Sequence, residues 1–121
     1  MSRAANGGEA AILKSILIYL QARHVLAFRQ NVGAVEAVYH GNSRFMRFGV
    51  PGMADVLAFP YWLMSSKADN VIKIIKPLWI EVKTATGKQS DLQKSFQQQV
   101  ESHGHKYVIA RSIEDVEEAL R

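Results

Sequence analysis

The stretch Leu78-Trp79-Ile80-Glu81-Val82-Lys83 sets an acid and a base two residues apart inside an otherwise apolar run. Strand side chains alternate between faces. Leu78, Ile80 and Val82 are therefore predicted on one side, with Glu81 and Lys83 on the other. The two charges then stand side by side, roughly 6–7 Å apart at the backbone by the strand rise per residue. Burying charge is costly unless the charges are paired or hold a metal. The pair has two readings: a cross-strand salt bridge at a sheet edge, or part of a metal site. Asp55, in the strand-like stretch Ala54-Asp55-Val56-Leu57-Ala58-Phe59, offers a second carboxylate.

At 121 residues the chain is expected to form a single domain over 1–121, with residues 1–8 as a loose lead-in. Cysteine is absent, which excludes disulfides, thiolate catalysis and Cys-based zinc sites. No apolar run reaches the 18 or so residues of a membrane span and no signal-peptide pattern opens the chain, so a cytoplasmic protein without a membrane partner is expected. The formal net charge is +4. Four acids (Glu114, Asp115, Glu117, Glu118) crowd the last eight residues, and without those eight the chain carries 14 Lys+Arg against 7 Asp+Glu. A basic body around a local acidic spot suits a polyanion held near a divalent cation.

Ile12, Leu13, Ile16, Leu17 and Leu20 recur at helical spacing, predicting a helix from Glu9 to about Arg23. Glu9 falls on the same stripe and is expected to be buried with it, near the helix N-terminus that favours a carboxylate. Val25 to Gln30 reads as a strand. Glu36–Tyr39 and Phe45–Phe48 are expected to pair as a hairpin through His40-Gly41-Asn42-Ser43. Gly49-Val50-Pro51-Gly52 turns into the Asp55 strand, and Pro60 to Lys76 reads as a polar connection without assigned structure. Ser90-Asp91 supplies caps for a helix over Leu92–His103, stopped by Gly104. A last strand (Lys106–Ala110) and a short acidic helix capped by Ser112 follow. This α-β-β-β-α-β-α order predicts an α/β fold, a central mixed β-sheet flanked by helices.

Asp55, Glu81 and Glu9 together offer hard oxygen ligands suited to Mg²⁺ or Mn²⁺. Such an ion polarises a phosphodiester and lowers the pKa of water, so the simplest chemical reading is a metal-dependent phosphodiester-cutting site. Lys83 would either hold and help deprotonate the attacking water or offset transition-state charge. Gln93 lies one turn beyond Gln89, and its neutral amide can orient Lys83 or the water without competing for the ion. Taken singly, Asp55 also reads as a turn residue, Glu9 as a helix-dipole partner and Gln93 as part of a solvated, glutamine-rich helix. Gly87-Lys88 lacks the GxxxxGK[ST] spacing, so no nucleotide cofactor is expected, while Lys88 is a candidate backbone-phosphate contact. Arg44 and Arg47, flanking Phe45, are candidates for a basic hairpin that tracks DNA, or simply for a solubilising surface. The four histidines show no zinc-ligand spacing.

The ordered set Gly52…Asp55, Glu81-Val82-Lys83-Thr84, Gly87-Lys88-Gln89-Ser90 and Gln93 resembles the virus-type replication-repair nuclease (VRR-NUC) domain of the PD-(D/E)XK nuclease superfamily. The helix with Glu9, the strand end Phe28-Arg29-Gln30-Asn31, the turn Gly49-Val50-Pro51-Gly52 and the late Gly104 extend the likeness over about residues 9–120. The family often places Pro or another tight residue before its Asp, whereas Met53-Ala54 stand there here. The resemblance implies a restriction-endonuclease-like core, with Asp55, Glu81 and the Val82 carbonyl as metal ligands and Lys83 as catalytic lysine. It further implies Gln93 as helper, Glu9 as an additional acidic site residue acting directly or through water, and Gln30 beside Arg44, Arg47 and Lys88 in DNA contact.

Compact, stand-alone members look like phage or bacterial nucleases acting on branched DNA, similar to Holliday-junction resolvases. The implied function is a structure-selective endodeoxyribonuclease in the cytoplasm of a bacterial or phage-infected cell. It would work as a homodimer, since a two-fold pair of sites can cut two strands of a four-way junction. Phe45, Phe48, Tyr61, Trp62 and Leu63 are candidates for that interface. The alternatives are a nickase, flap or restriction-like nuclease, and a non-catalytic DNA-binding domain of the same fold.

Overall fold

A computed structural model of the protein describes residues 8–30, 33–39, 41–48, 50–68 and 70–121, with the backbone alone for 33–39 and 42–48. Along these residues run α1 (Glu9–Ala22), β1 (Leu26–Arg29), β2 (Gly33–Tyr39), β3 (Asn42–Phe48), β4 (Val56–Phe59) and β5 (Tyr61–Ser65). They continue as β6 (Val71–Ile75), β7 (Leu78–Val82), α2 (Asp91–Ser102), β8 (Lys106–Ala110) and α3 (Ile113–Ala119). One four-stranded sheet has the order β1-β4-β7-β8. Its first three strands are antiparallel neighbours, and β8 lies parallel to β7. Parallel neighbours need a crossover, which α2 supplies between them. The architecture is mixed α/β, a mixed sheet flanked by helices.

Alternation along β7 divides the core into two layers. Leu78, Ile80 and Val82 join Val56, Ala58 and Ala110 beneath Ile16 and Leu20 of α1 and Val116 of α3, all essentially inaccessible to solvent. On the opposite face α2 seats Phe96 and Val100 against Ala54, Trp79 and Tyr107. The Trp79 and Phe96 rings meet edge to face at 4.9 Å between centroids. The predicted division of β7 therefore holds: apolar residues face one helix layer, and Trp79, Glu81 and Lys83 face the other.

Two expectations need correction. Glu9 is exposed. The buried part of α1 is centred on Ile16 and Leu20, with Ile12 and Leu13 only partly buried against the same core, so burial fades toward the helix N-terminus and leaves Glu9 in solvent. The stretch 60–76 is also no irregular connection, because β5 and β6 pair through Tyr61↔Ile75, Trp62↔Ile74, Leu63↔Lys73, Met64↔Ile72 and Ser65↔Val71. Ala58↔Leu78 in the central sheet and Tyr61↔Ile75 in this hairpin follow one unbroken register. Only Pro60 and Pro77 interrupt the ladder, since proline has no N–H to donate. The β5–β6 hairpin is thus an arm that prolongs the β4–β7 ribbon.

The β2–β3 hairpin forms as expected, with longer strands, and turns at Gly41. The side chains of Phe45, Phe48, Arg44 and Arg47 lie outside the described residues. Ser90 caps α2 as expected, whereas the cap of α3 differs. Ser112 precedes α3 without a side-chain bond, and the Asp115 carboxylate instead accepts from the Arg111 N–H at 2.8 Å.

Candidate active site

Extending the Val56↔Ile80 pairing by one residue sets Asp55 opposite Glu81, just where β4 begins and β7 ends. The Asp55 carboxylate accepts a hydrogen bond from the Val82 N–H at 2.7 Å. Its own backbone C=O accepts from the Gln30 N–H, also at 2.7 Å, which ties the acid to the end of β1. A strand residue directs its N–H and C=O toward the same neighbouring strand. The Val82 carbonyl accordingly looks to the Asp55 side, while the Lys83 N–H donates the other way, to Ala110 O at 3.0 Å.

Glu81 is 2% exposed and Lys83 9%. Their charged ends lie 3.7 Å apart. The side chain of Gln93 completes the group from α2. Its Nε2 donates to Glu81 Oε2 at 3.1 Å, while its Oε1 accepts from the Ser90 N–H at 2.8 Å. The Ser90 hydroxyl in turn accepts from the Gln93 N–H at 3.2 Å. This is a reciprocal capping box, and it gives the amide an unambiguous orientation: with Oε1 engaged at the cap, the NH₂ must face Glu81. One residue therefore both starts α2 and holds the acid.

Gly52 fixes how closely α2 approaches. With φ +84, in the left-handed region, it lies so near the helix that an added Cβ would run into the Leu92 carbonyl and stand 2.9 Å from the Gln93 nitrogen. Any side chain there would push Gln93 off Glu81. Arg111 steadies the loop beyond Lys83, its guanidinium donating to Thr84 O at 2.5 Å and Gly87 O at 2.7 Å.

Burial pushes the Glu81 carboxyl up to about 7, with the Asp55 carboxylate raising it further against the opposing pull of Lys83. The charge of Glu9 acts in the same upward direction. Glu9 thus influences the site while standing exposed at its margin. Glu81 Oε1 is buried and has no hydrogen-bond partner among the described residues.

Tyr107, which the sequence did not single out, belongs to this neighbourhood. It stands on β8 beside Trp79. Burial pushes its phenol up to about 12, with Glu81 and Asp55 adding to the rise. Gln89 Nε2 donates to the Tyr107 oxygen at 3.2 Å and to Gln97 Oε1 at 2.8 Å. The tyrosine keeps its proton and remains a donor. The signal available in the sequence was parity: Tyr107 lies two residues from Ile109, which pairs with Glu81.

The structure thus brings together Asp55, Glu81, Val82, Lys83 and Gln93 from three separated segments. Glu9 lies at the margin. Lys88 is exposed and Gln30 half-buried. Among the described residues, no three His, Asp or Glu side chains are grouped closely enough to hold a metal ion between them. The donors available at the site are the two carboxylates and the Val82 carbonyl. No helix among the described residues is long and apolar enough to cross a membrane. No family model, curated protein or solved structure matches this chain.

Proposed function

We propose that this chain is a divalent-metal-dependent, structure-selective endonuclease of branched DNA, with a PD-(D/E)XK core of the VRR-NUC type. The observation that carries this reading is the convergence of Asp55, Glu81, Lys83 and Gln93 at one end of the β4–β7 ribbon. A salt bridge needs only one acid and one base. Here a second carboxylate stands across from a buried one, whose proton affinity is raised and whose other oxygen has no donor. A hard divalent cation relieves both conditions, so the donor set fits Mg²⁺ or Mn²⁺. Asp55, Glu81 and the Val82 carbonyl would hold it, with water and phosphate oxygens completing its shell. When bound, such an ion supplies Lewis-acid polarisation to a phosphodiester.

The chain's own groups account for the remaining work. Lys83 brings an ammonium, itself held against Glu81, to the position where it can orient an attacking water or offset developing charge on the phosphoryl oxygens. Gln93 keeps Glu81 aimed by donating to one oxygen, leaving the other free for a ligand. The overall positive charge favours approach of a polyanion, and exposed Lys88, in the loop after Lys83, is placed to meet a backbone phosphate.

The test is to incubate equal amounts of end-labelled four-way junction, flap and linear duplex with the protein and Mn²⁺. The junction is expected to be cut fastest. Equal cutting of all three would remove the junction preference, and no cutting of any would remove the nuclease reading.

A further inference from the structure

The sheet face that carries Asp55 and Glu81 has a covered half and an open half. Cross-strand partners share a face. With the pairing extended by one residue, the rows on this side read Gln30–Asp55–Glu81, then Phe28–Leu57–Trp79, then Leu26–Phe59. Helix α2 covers the Trp79 end, where Phe96 and Val100 pack. At the β1–β4 end, Phe28 and Phe59 enter neither core layer among the described residues. Their rings meet edge to face at 6.3 Å between centroids, yet Phe28 remains 50% exposed and Leu26 61%. A ring held half in water forgoes much of the burial open to a phenylalanine. The distance from the carboxylates limits what such a surface can serve. Phe28 stands about 7 Å along β1 from Gln30 and about 5 Å across from β4, so roughly 8 Å separates it from Asp55 at the backbone.

We infer that Phe28, backed by Phe59, is a stacking platform for an unpaired nucleobase of the DNA whose phosphate lies at the Asp55–Glu81 site. The inference rests on the nuclease reading of that site and adds the part of the substrate beside the phosphate. A ligand spanning these two rows needs an anionic group for the cation row and a flat apolar group for the next. A nucleotide has that layout, with a phosphate joined through a sugar to an aromatic base. A lipid or an aliphatic peptide would gain from the rings but not from a cation-binding row beside them. Gln30, half-buried on the row of Asp55, sets a neutral amide beside the carboxylates, able to bond a phosphate oxygen or a base edge. Within an intact duplex both π-faces of each base are covered by neighbours, so a ring on a sheet has nothing to stack on. A frayed or unpaired nucleotide at a branch offers a free face, and base–aromatic stacking tolerates any sequence. The platform therefore selects DNA structure rather than sequence.

The experiment measures binding of the full chain to fluorescein-labelled flap DNA by anisotropy, with Ca²⁺, which takes the same oxygen ligands. One series of flaps carries a single abasic residue at successive nucleotides on either side of the branch. The parent is compared with Phe28→Leu, which keeps apolar contact with Phe59 but has no ring, and with Phe28→Trp, which keeps a ring. Circular dichroism checks that both variants fold. The parent is expected to lose about 5-fold or more in affinity when the base is missing at one or two of these nucleotides. Phe28→Leu is expected to bind the complete flap as weakly as the parent binds the critical abasic one, and to be indifferent to base removal. Phe28→Trp is expected to retain the base dependence. A parent indifferent to every abasic position, a folded Phe28→Leu variant with the parent's base dependence, or no binding to any of these DNAs would each overturn the inference. The nuclease reading is judged separately, by cutting with Mn²⁺, so DNA that is cut without base dependence sinks the platform alone.

Discussion

Replacing Lys83 with Ala is expected to slow cleavage of a four-way junction by about 10³-fold or more while leaving junction binding within a few-fold of the parent. The ammonium sits 3.7 Å from Glu81 and is nearly inaccessible, so bulk cations cannot replace it once the side chain is gone. On the nuclease reading its contribution is made to the transition state, whereas duplex affinity comes from exposed cations elsewhere. Removing one partner of a buried pair also destabilises the fold, so the loss must be measured on protein whose circular dichroism and unfolding midpoint are intact. Lys83→Met, which keeps the aliphatic stem, guards against a packing artefact. Cleavage at the parent rate by both well-folded variants would end the assignment of Lys83.

A second large effect concerns Glu81 and pH. Its carboxyl lies at about 7 in the folded protein against an ordinary 4.5, chiefly because it is buried and then because Asp55 stands across from it. The folded state therefore holds this proton more tightly than the unfolded state. In metal-free solution the linked stability is fully present below about pH 4.5, falls as pH rises toward 7, and is gone above it. The cost at pH 8 is on the order of 3 kcal/mol. Glu81→Gln removes the ionisation while keeping an acceptor for Gln93. In EDTA the Gln variant is expected to be more stable than the parent at pH 8 and close to it at pH 5. Urea unfolding at both values measures this. A stability difference that does not change with pH would contradict the account. The same variant is expected to lose the stabilisation that Mg²⁺ gives the parent, since a bound ion replaces the proton.

These two residues were legible in the sequence because β7 has unlike faces. Leu78, Ile80 and Val82 alternate with Trp79, Glu81 and Lys83, so parity alone separated the core side from the charged side. The same rule was blind to β5 and β6, where both faces are apolar and no alternation marks a strand. Their continuity with β4 and β7 was further masked by Pro60 and Pro77, which read as breaks although the register passes through them. Glu9 shows the limit of helical periodicity, which reports a stripe but not where along the helix its burial fades. The double use of Gln93 was only half visible. Ser90 and Gln93 have capping-box spacing, but the bond to Glu81 depends on how near α2 comes to β7, and that is set by Gly52. Tyr107 was missed because its proximity to Glu81 arises from the parallel pairing of β8 with β7.

The stability of the site and its proposed chemistry pull in opposite directions. Packing like charges at the end of a ribbon, with one carboxylate oxygen left without a donor, costs free energy in the isolated chain. A structural ion pair has no need of Asp55 facing Glu81, whereas a cation site does.

The most direct measurement is a Mn²⁺ titration at pH 8 followed by electron paramagnetic resonance, comparing the parent with Asp55→Ala, Glu81→Ala and a control such as Glu117→Ala on the far helix. The account predicts saturable Mn²⁺ binding that survives in the control and is lost in both site variants. Parent protein that leaves the free Mn²⁺ signal undiminished, or binding that persists unchanged without Asp55 and Glu81, would contradict it.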